Sequence, residues 1–224
     1  MKKVAKYKKM LLRGMLADRH FCVVSNDCWG GEVYRKLGVE YNTPFVGLYV
    51  MAPCYLLLLK DLHVIEREMK FIPISKYSYC NELRNTSGSR YPIGVLPGNI
   101  EIHFQHYGSE EEALSAWCRR IDRMNWDNLC VKFDAGKDLA TPDLVEQFAQ
   151  LNFPAKLCIL PSTDVHAPWA VELPDWEQDG VKMFRKFARR FSIIKWLNGR
   201  GIHKAGYLEP WLLGISQRQK TKPA

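Results

Sequence analysis

The chain has 224 residues, of which 47% are apolar and 25% charged, with a net charge of +8. This balance is typical of a globular protein. A run of about 18 apolar residues is absent, so we expect no membrane span. The apolar residues 10–12 are followed at once by Arg13, which leaves them too short for the core of a signal peptide. These features predict a cytoplasmic protein.

The positive charge is concentrated at the two ends of the chain. Residues 1–20 carry seven Lys or Arg and one acidic residue, residues 179–224 carry eleven and two, and residues 21–178 therefore have a net charge of −7. Nucleic-acid-binding proteins are not usually organised in this way, so we expect no nucleic-acid partner. The cationic ends have two possible roles. They either increase solubility only, or they contact an anionic membrane surface or a phosphorylated partner.

The first half of the chain alternates apolar runs with polar turns. The basic segment 1–20 contains a predicted short helix. The elements expected after it are a buried strand over 21–24, a helix over 32–37, a strand over 45–50, a helix from 54 to about 69, an edge strand over 71–74, a mobile polar loop over 75–90, and a β-hairpin formed by 91–96 and 100–105.

The second half follows the same alternation. Ser109 and Glu112 form a capping-box pattern, which predicts a helix to about residue 124. A strand over 129–133, a helix over 142–151 and a strand over 156–160 follow, and then an irregular stretch over 161–178. A cationic amphipathic helix over 179–198 is the last long element, and the tail 216–224 is expected to be disordered.

Strands that alternate with helices predict an α/β fold. We expect a three-layer sandwich with a mixed, largely parallel sheet, because the hairpin adds antiparallel strands. Residues 21–215 are predicted to form a single domain. Seven cysteines without a C-x-x-C pair are typical of reduced thiols, so we assign no metal site, and the sequence does not identify a cofactor.

The first candidate site follows the first predicted strand, where open α/β sheets place ligands. It contains six candidate residues, namely Asn26, Asp27, Cys28, Trp29, Gly30 and Gly31. Cys28 is the candidate nucleophile, because a helix N-terminus lowers the pKa of a thiol, although Asp27 opposes that shift. Asn26 and the amides of residues 29–31 are candidates for binding an oxyanion or phosphate. Asp27 could act as a general base or hold a metal, or it could cap the helix that follows. The alternative for Cys28 is a buried cysteine that only shapes the turn.

The second candidate site lies at the end of the predicted hairpin. Glu101 and His103 share one face of a strand, and His106 follows in the next loop. Either histidine could act as the base for Cys28 or for a substrate hydroxyl, and Glu101 with His103 could alternatively bind a metal. The structural alternative is a hydrogen-bonded, half-buried histidine. Asp134 ends another predicted strand, at the sheet edge where residues 26–31 lie, and is a further candidate for substrate binding.

Several sequence blocks carry a family resemblance. They are residues 25–31, 41–48, 91–94, 101–107, 111–120, 125–129 and 196–199. Over about residues 20–200 the chain resembles a bacterial family of domains of unknown function found among exopolysaccharide and capsule biosynthesis proteins. The resemblance implies a cytoplasmic transferase role in surface-polysaccharide assembly, but it assigns no catalytic residue. The family pattern has Asn where this chain has Asp27, which weakens a mechanism that needs this carboxylate.

The sequence therefore predicts a sugar- or acyl-modifying transferase with Cys28, His103 and His106 as catalytic residues. Its partners would be an activated sugar or acyl donor and a glycan acceptor. The cationic helix 179–198 would contact the inner face of the plasma membrane. A non-catalytic glycan-binding or assembly protein and a metal-dependent hydrolase are the alternatives.

Overall fold

The strands of the computed structural model, which describes residues 2–162 and 165–215, form two sheets. The strands are β1 (Cys22–Ser25), β2 (Lys70–Ile72), β3 (Ile93–Leu96), β4 (Ile100–His103), β5 (Leu129–Asp134), β6 (Ala155–Leu160) and β7 (Ala170–Glu172). The helices are α1 (Lys2–Gly14), α2 (Trp29–Leu37), α3 (Ala52–Lys60), α4 (Ser78–Ser87), α5 (Glu110–Ile121), α6 (Pro142–Gln150), α7 (Gly180–Arg190), α8 (Ile193–Leu197) and α9 (Leu208–Leu212). The predicted disordered tail, 216–224, lies outside the described residues.

The larger sheet has the order β1-β5-β6-β7, and all of its neighbouring strands are parallel. Ser25 pairs with Lys132, so the carboxyl ends of β1 and β5 lie side by side. The hairpin β3–β4 joins β2 in a separate antiparallel sheet instead of extending the parallel one. The α/β fold with a largely parallel sheet is thus confirmed, and its antiparallel strands are a distinct unit.

Two hydrophobic cores cover the opposite faces of the parallel sheet. In β5, Val131 and Phe133 belong to the core shared with α3, α5, α6 and the antiparallel sheet. Cys130 belongs to the core shared with α1, α2 and α7–α9. Since successive side chains of a strand point to opposite faces, this alternation produces the predicted three layers.

The capping residues explain where several helices begin. Ser109 Oγ accepts a hydrogen bond from the Glu112 N–H at 3.2 Å, as the capping box predicts. Thr141 caps α6 in the same way, and the Asp179 carboxylate accepts from two N–H groups at the start of α7. Each cap satisfies backbone donors that a helix leaves unpaired at its first turn.

Four predicted elements differ from the observed structure. Residues 45–50 are irregular because Gly47 has a φ of +76°, and only Tyr49 forms an isolated bridge, to His103. The helix predicted over 54–69 is the shorter α3 followed by a 3₁₀ turn at Leu62–Val64. The polar loop 75–90 contains α4. The helix predicted over 179–198 divides into α7 and α8, because Phe191 is extended and pairs with Lys204.

The chain also contains β7 and α9, which the sequence pattern did not indicate.

In the part of the chain that the structure describes, no helix combines the length and apolar character needed to cross a membrane.

Candidate functional site

The loop after β1 holds the ends of two neighbouring strands together. The buried Asn26 side chain donates to the carbonyl of Asp134 at 3.2 Å and accepts from the N–H of Asp134 at 2.8 Å. The Asn26 carbonyl accepts from the Val50 N–H at 3.0 Å. The side-chain amide of Asn26 is therefore hydrogen-bonded to backbone groups through both its nitrogen and its oxygen. The Asn26 side chain thus fixes the geometry of the sheet edge, and it is not among the residues that line the pocket described below.

The Asp27 carboxylate occupies the N-terminus of α2. Oδ1 accepts from the Trp29 N–H at 3.1 Å and from Ser25 Oγ at 3.0 Å, and it lies 2.8 Å from Lys132 Nζ. Oδ2 lies 2.9 Å from Lys137 Nζ. Burial opposes ionisation of Asp27, but the two lysines outweigh burial and hold its pKa well below the ordinary value. Asp27 therefore carries a fixed negative charge where the sequence predicts a bound oxyanion or phosphate.

The neighbouring Trp29, Gly30 and Gly31 serve packing. The Trp29 ring is fully buried, with edge-to-face contacts to Phe184, Phe187 and Trp196. A Cβ on Gly30 would lie 2.9 Å from the Ser25 Cβ, so glycine permits the close approach of α2 to β1. The Trp29 amide is already bound by Asp27. None of the three lines the pocket described below, so their predicted role in substrate binding gains no support.

Three carboxylates and two ammonium groups form a charge network at this sheet edge. Lys132, fully buried, lies between Asp27 and Asp134, with 3.6 Å to Asp134 Oδ2. Burial lowers the pKa of Lys137, but Asp27, Asp134 and Asp138 outweigh it and raise that pKa above the ordinary value. Burial raises the pKa of Asp138 to about 7, an effect that Lys137 opposes and the other two carboxylates strengthen.

Asp134, predicted to bind substrate, lies beneath the site and is fully buried. Its Oδ1 accepts from the Gly136 N–H at 3.1 Å and from Trp176 Nε1 at 2.9 Å. Its Oδ2 is buried without a hydrogen-bond partner and lies 3.6 Å from Lys132 Nζ and 3.9 Å from Lys137 Nζ. Asp134 therefore supports the site and does not line it.

A pocket of about 520 Å³ opens above the charge network. Cys28 and His106 both line it, and Cys28 Sγ lies 3.5 Å from His106 Nε2. The His106 N–H donates to the Gly47 carbonyl at 3.0 Å, and the Tyr107 hydroxyl donates to the Val46 carbonyl at 2.7 Å. These bonds anchor the loop after β4 over the N-terminus of α2. The predicted pairing of Cys28 with a histidine is thus present, and the histidine is His106.

The Cys28 thiol is not activated in the way the sequence suggests. Burial raises its pKa to about 11, and the charges of Asp27 and Asp179 add to this effect, while Lys137 opposes it. The expected lowering of the pKa by the helix N-terminus does not prevail, because burial outweighs it and Asp27 also places a negative charge at that N-terminus. At neutral pH the group is a thiol, and it can act as a nucleophile only if a neighbouring base accepts its proton.

The remaining pocket walls combine aromatic and polar side chains. Tyr49 and Tyr79 provide aromatic surface, and Gln105 and Gln178 provide amides. The Gln178 Nε2 donates to the Tyr79 hydroxyl at 3.1 Å, which joins the loop before α7 to α4. Planar amides and aromatic rings are suited to binding an uncharged polar ligand.

The structure places His103 and Glu101 outside the pocket. Both are buried, and His103 Nε2 lies 3.3 Å from Glu101 Oε2. Glu101 also accepts from Ser75 Oγ at 2.5 Å and from the Lys76 N–H at 2.8 Å. The His103 ring stacks on Tyr49 with 4.6 Å between centroids, and burial lowers its pKa despite Glu101. The prediction of His103 as a catalytic residue is therefore not supported by its position, since Tyr49 forms the pocket wall in front of it.

Sequence reasoning missed Lys132, Lys137 and Asp138. One signal was available, because Lys132 interrupts the apolar strand 129–133 and a lysine there needs an acidic partner. Lys137 and Asp138 lie in a loop without a distinctive pattern. Among residues 2–162 and 165–215, no group of three or more His, Cys, Asp or Glu side chains is arranged to hold a metal ion.

The fold and the site together define an α/β protein with a Cys–His pocket above a buried charge network. The chain belongs to the family described as a domain of unknown function (DUF1919), whose model matches residues 1–198. It is similar to an uncharacterized protein of Haemophilus influenzae (strain Rd), with 27% identity over 202 residues that cover 84% of this chain and 88% of the relative. The matched family region contains every residue of the pocket.

Proposed function

We propose that this protein is an acyl-modifying transferase of bacterial exopolysaccharide or capsule biosynthesis. The observation that carries the proposed chemistry is the 3.5 Å approach of Cys28 Sγ to His106 Nε2 at the wall of a pocket. The polysaccharide role rests on the sequence resemblance described above. The reaction would take place in the cytoplasm, at the inner membrane face where lipid-linked glycans are assembled.

The proposed reaction has two acyl-transfer steps. In the first, Cys28 Sγ attacks the carbonyl carbon of an acyl thioester and its proton passes to His106 Nε2. The donor thiolate leaves and takes up that proton, so Cys28 carries the acyl group as a new thioester. In the second, a sugar hydroxyl attacks this thioester while His106 accepts its proton. The acyl ester of the sugar forms, and the proton returns to the Cys28 sulfur.

The pocket favours an uncharged sugar as the acceptor. Aromatic rings of Tyr49 and Tyr79 can stack on the apolar face of a sugar ring, and the amides of Gln105 and Gln178 can bind its hydroxyls. Lys137, the lysine of the pocket wall, is already paired with Asp27. Among the described residues of the pocket wall, no second Lys or Arg is available to bind a diphosphate beside the reacting atoms, which makes transfer from a nucleotide-linked sugar the less favoured form of the reaction.

A glycan-binding or assembly protein is the rival function, because the same aromatic and amide side chains could bind a sugar without chemistry. The tryptophans of the irregular stretch do not add to that surface. Trp176 donates to the Asp134 carboxylate at 2.9 Å, and the Trp169 ring packs on Phe148. A metal-dependent hydrolase, the third alternative, has no specific observation in its favour.

Covalent labelling by an acyl donor tests the proposal. Purified protein would be incubated with acetyl-coenzyme A and other acyl thioesters, and the intact mass would be measured. We expect wild-type protein to gain the mass of one acyl group, Cys28→Ser to gain no thiol-linked acyl group, and His106→Gln to be labelled about 100-fold more slowly.

Cys118→Ser is the matched control, because Cys118 is also a partly exposed free thiol but lies in α5. It should be labelled like wild type. Equal labelling of Cys28→Ser and wild type would contradict the proposal. Binding of glycan fragments by unlabelled protein, without acyl transfer from any thioester, would support the glycan-binding rival.

A further inference from the structure

A patch of exposed apolar side chains lies on α1 and α9. On α1, Tyr7 is 58% exposed, and Val4 and Leu11 lie beside it at helical spacing. On α9, Trp211 is 56% and Leu208 58% exposed. We call these five side chains the amphipathic patch. Large side chains exposed together in this way mark an interaction surface.

The two helices are held firmly together, so the patch is a defined surface. Lys8 Nζ donates to the Trp211 carbonyl at 2.8 Å and lies 3.6 Å from the centre of the Trp211 ring. Beneath them, the buried Glu209 carboxylate accepts from Ser192 Oγ at 2.5 Å and from the Ile194 N–H at 3.0 Å. The exposed faces of α1 and α9 are therefore fixed to the protein core.

Unpaired lysines of α1 lie beside the patch. Within the described residues, the exposed Lys3 and Lys6 form no ion pair with a carboxylate. In α7, the helix from which the sequence predicted membrane contact, Lys186 lies 2.9 Å from Glu177, and Arg190 lies 2.7 Å from Asp175. Part of the positive charge of α7 is thus neutralised within the protein, whereas that of α1 faces outward.

We propose that the amphipathic patch and the lysines around it dock this protein onto an anionic lipid surface. Aromatic and aliphatic side chains would enter the headgroup boundary, and the lysines would bind anionic headgroups beside them. Charge decides between this partner and a second copy of the chain, because two copies of the same lysine-rich face repel each other.

The patch is remote from the pocket along α2. Arg13 of α1 donates to the carbonyl of Leu37 at the C-terminal end of α2, whereas Cys28 precedes its N-terminal end. Docking is therefore independent of the proposed acyl transfer, and either proposal can fail without the other.

Sedimentation with lipid vesicles tests the docking. Wild-type protein should bind vesicles of phosphatidylcholine and phosphatidylglycerol, bind pure phosphatidylcholine vesicles weakly, and lose binding as salt increases. The double variant Lys3→Gln/Lys6→Gln should lower the partition coefficient about 30-fold. Tyr7→Ser/Leu11→Ser should lower it at least about tenfold, because it removes apolar area from the patch.

Lys70→Gln/Arg90→Gln is the matched control, since it removes two exposed charges near the antiparallel sheet. It should bind like wild type, and all variants should keep the wild-type melting temperature. The proposal is overturned if wild type does not bind the anionic vesicles, or if the patch variants and the control bind equally. A concentration-dependent dimer that the patch variants abolish, without vesicle binding, would assign the face to a second copy.

Discussion

Substituting Lys132 by methionine should destabilise the protein strongly. The Lys132 ammonium is fully buried, with Asp27 Oδ1 at 2.8 Å and Asp134 Oδ2 at 3.6 Å. Lys132→Met leaves a buried carboxylate without its closest cation, which typically costs about 3–5 kcal/mol. This is a large share of the roughly 5–15 kcal/mol by which a domain is stable.

The assay is urea unfolding at neutral pH, followed by tryptophan fluorescence. Lys156→Met is the matched control, because Lys156 is a lysine of the neighbouring strand β6 whose Nζ donates to three backbone carbonyls at the end of α6 and pairs with no carboxylate. Its loss should cost about 1 kcal/mol. The double variant Lys132→Met/Asp27→Asn should recover part of the stability that Lys132→Met loses, because it removes the uncompensated charge.

The charge-network reasoning would be refuted if Lys132→Met cost no more than Lys156→Met. It would also be refuted if the effects of Lys132→Met and Asp27→Asn were simply additive. The loss should become smaller at acidic pH, since protonation of the carboxylates then removes the unpaired charge.

Two further predictions concern residues of the same sheet edge. The pKa of Asp138 is raised from 3.8 to about 7 in the folded state, so the folded protein binds the extra proton between these values and its stability falls as pH rises through that window. Asp138→Asn should remove this pH dependence and stabilise the protein at pH 8, because the amide carries no charge. We expect a gain of roughly 1–2 kcal/mol in urea titrations, which is less than the full pKa shift implies because solvent contact screens the carboxylate. An unchanged pH profile would contradict this prediction. Gly30→Ala should lower stability by about 1–3 kcal/mol because its Cβ would meet Ser25 at 2.9 Å. Gly14→Ala, which meets no atom within 4 Å, should show no such loss in thermal melting, and equal effects would disprove the close-packing argument.

Much of the fold was predictable because its elements are specified by local pattern. The apolar runs of β1, β5 and β6, the hairpin β3–β4 and the capping residues of α5 are all readable from neighbouring residues. The irregular segment 45–50 was misjudged, because a positive φ at Gly47 outweighs the β-forming residues around it. The short β7 and α9 carry too few residues for a distinct period.

The candidate site was only partly predictable. Cys28 and His106 were named from their places at the ends of two strands, and they meet at the pocket. His103 was chosen because it shares a strand face with Glu101, but the surroundings of that face depend on how the antiparallel sheet packs, and Tyr49 covers His103. The family resemblance was confirmed for the domain, and the polysaccharide role remains a proposal.

The sequence by itself determined the α/β class, the order of the main elements and the presence of a polar cluster after the first strand, because period and turn chemistry are local properties. The tertiary structure alone decided which charges meet. Lys132 and Lys137 lie more than a hundred residues from Asp27 in the chain, and the parallel pairing of β1 with β5 brings them together. That pairing makes Asp27 a buried, fixed charge, whereas burial is the main reason that Cys28 stays a thiol. Both effects depend on distance in space and on burial, which the sequence alone does not reveal.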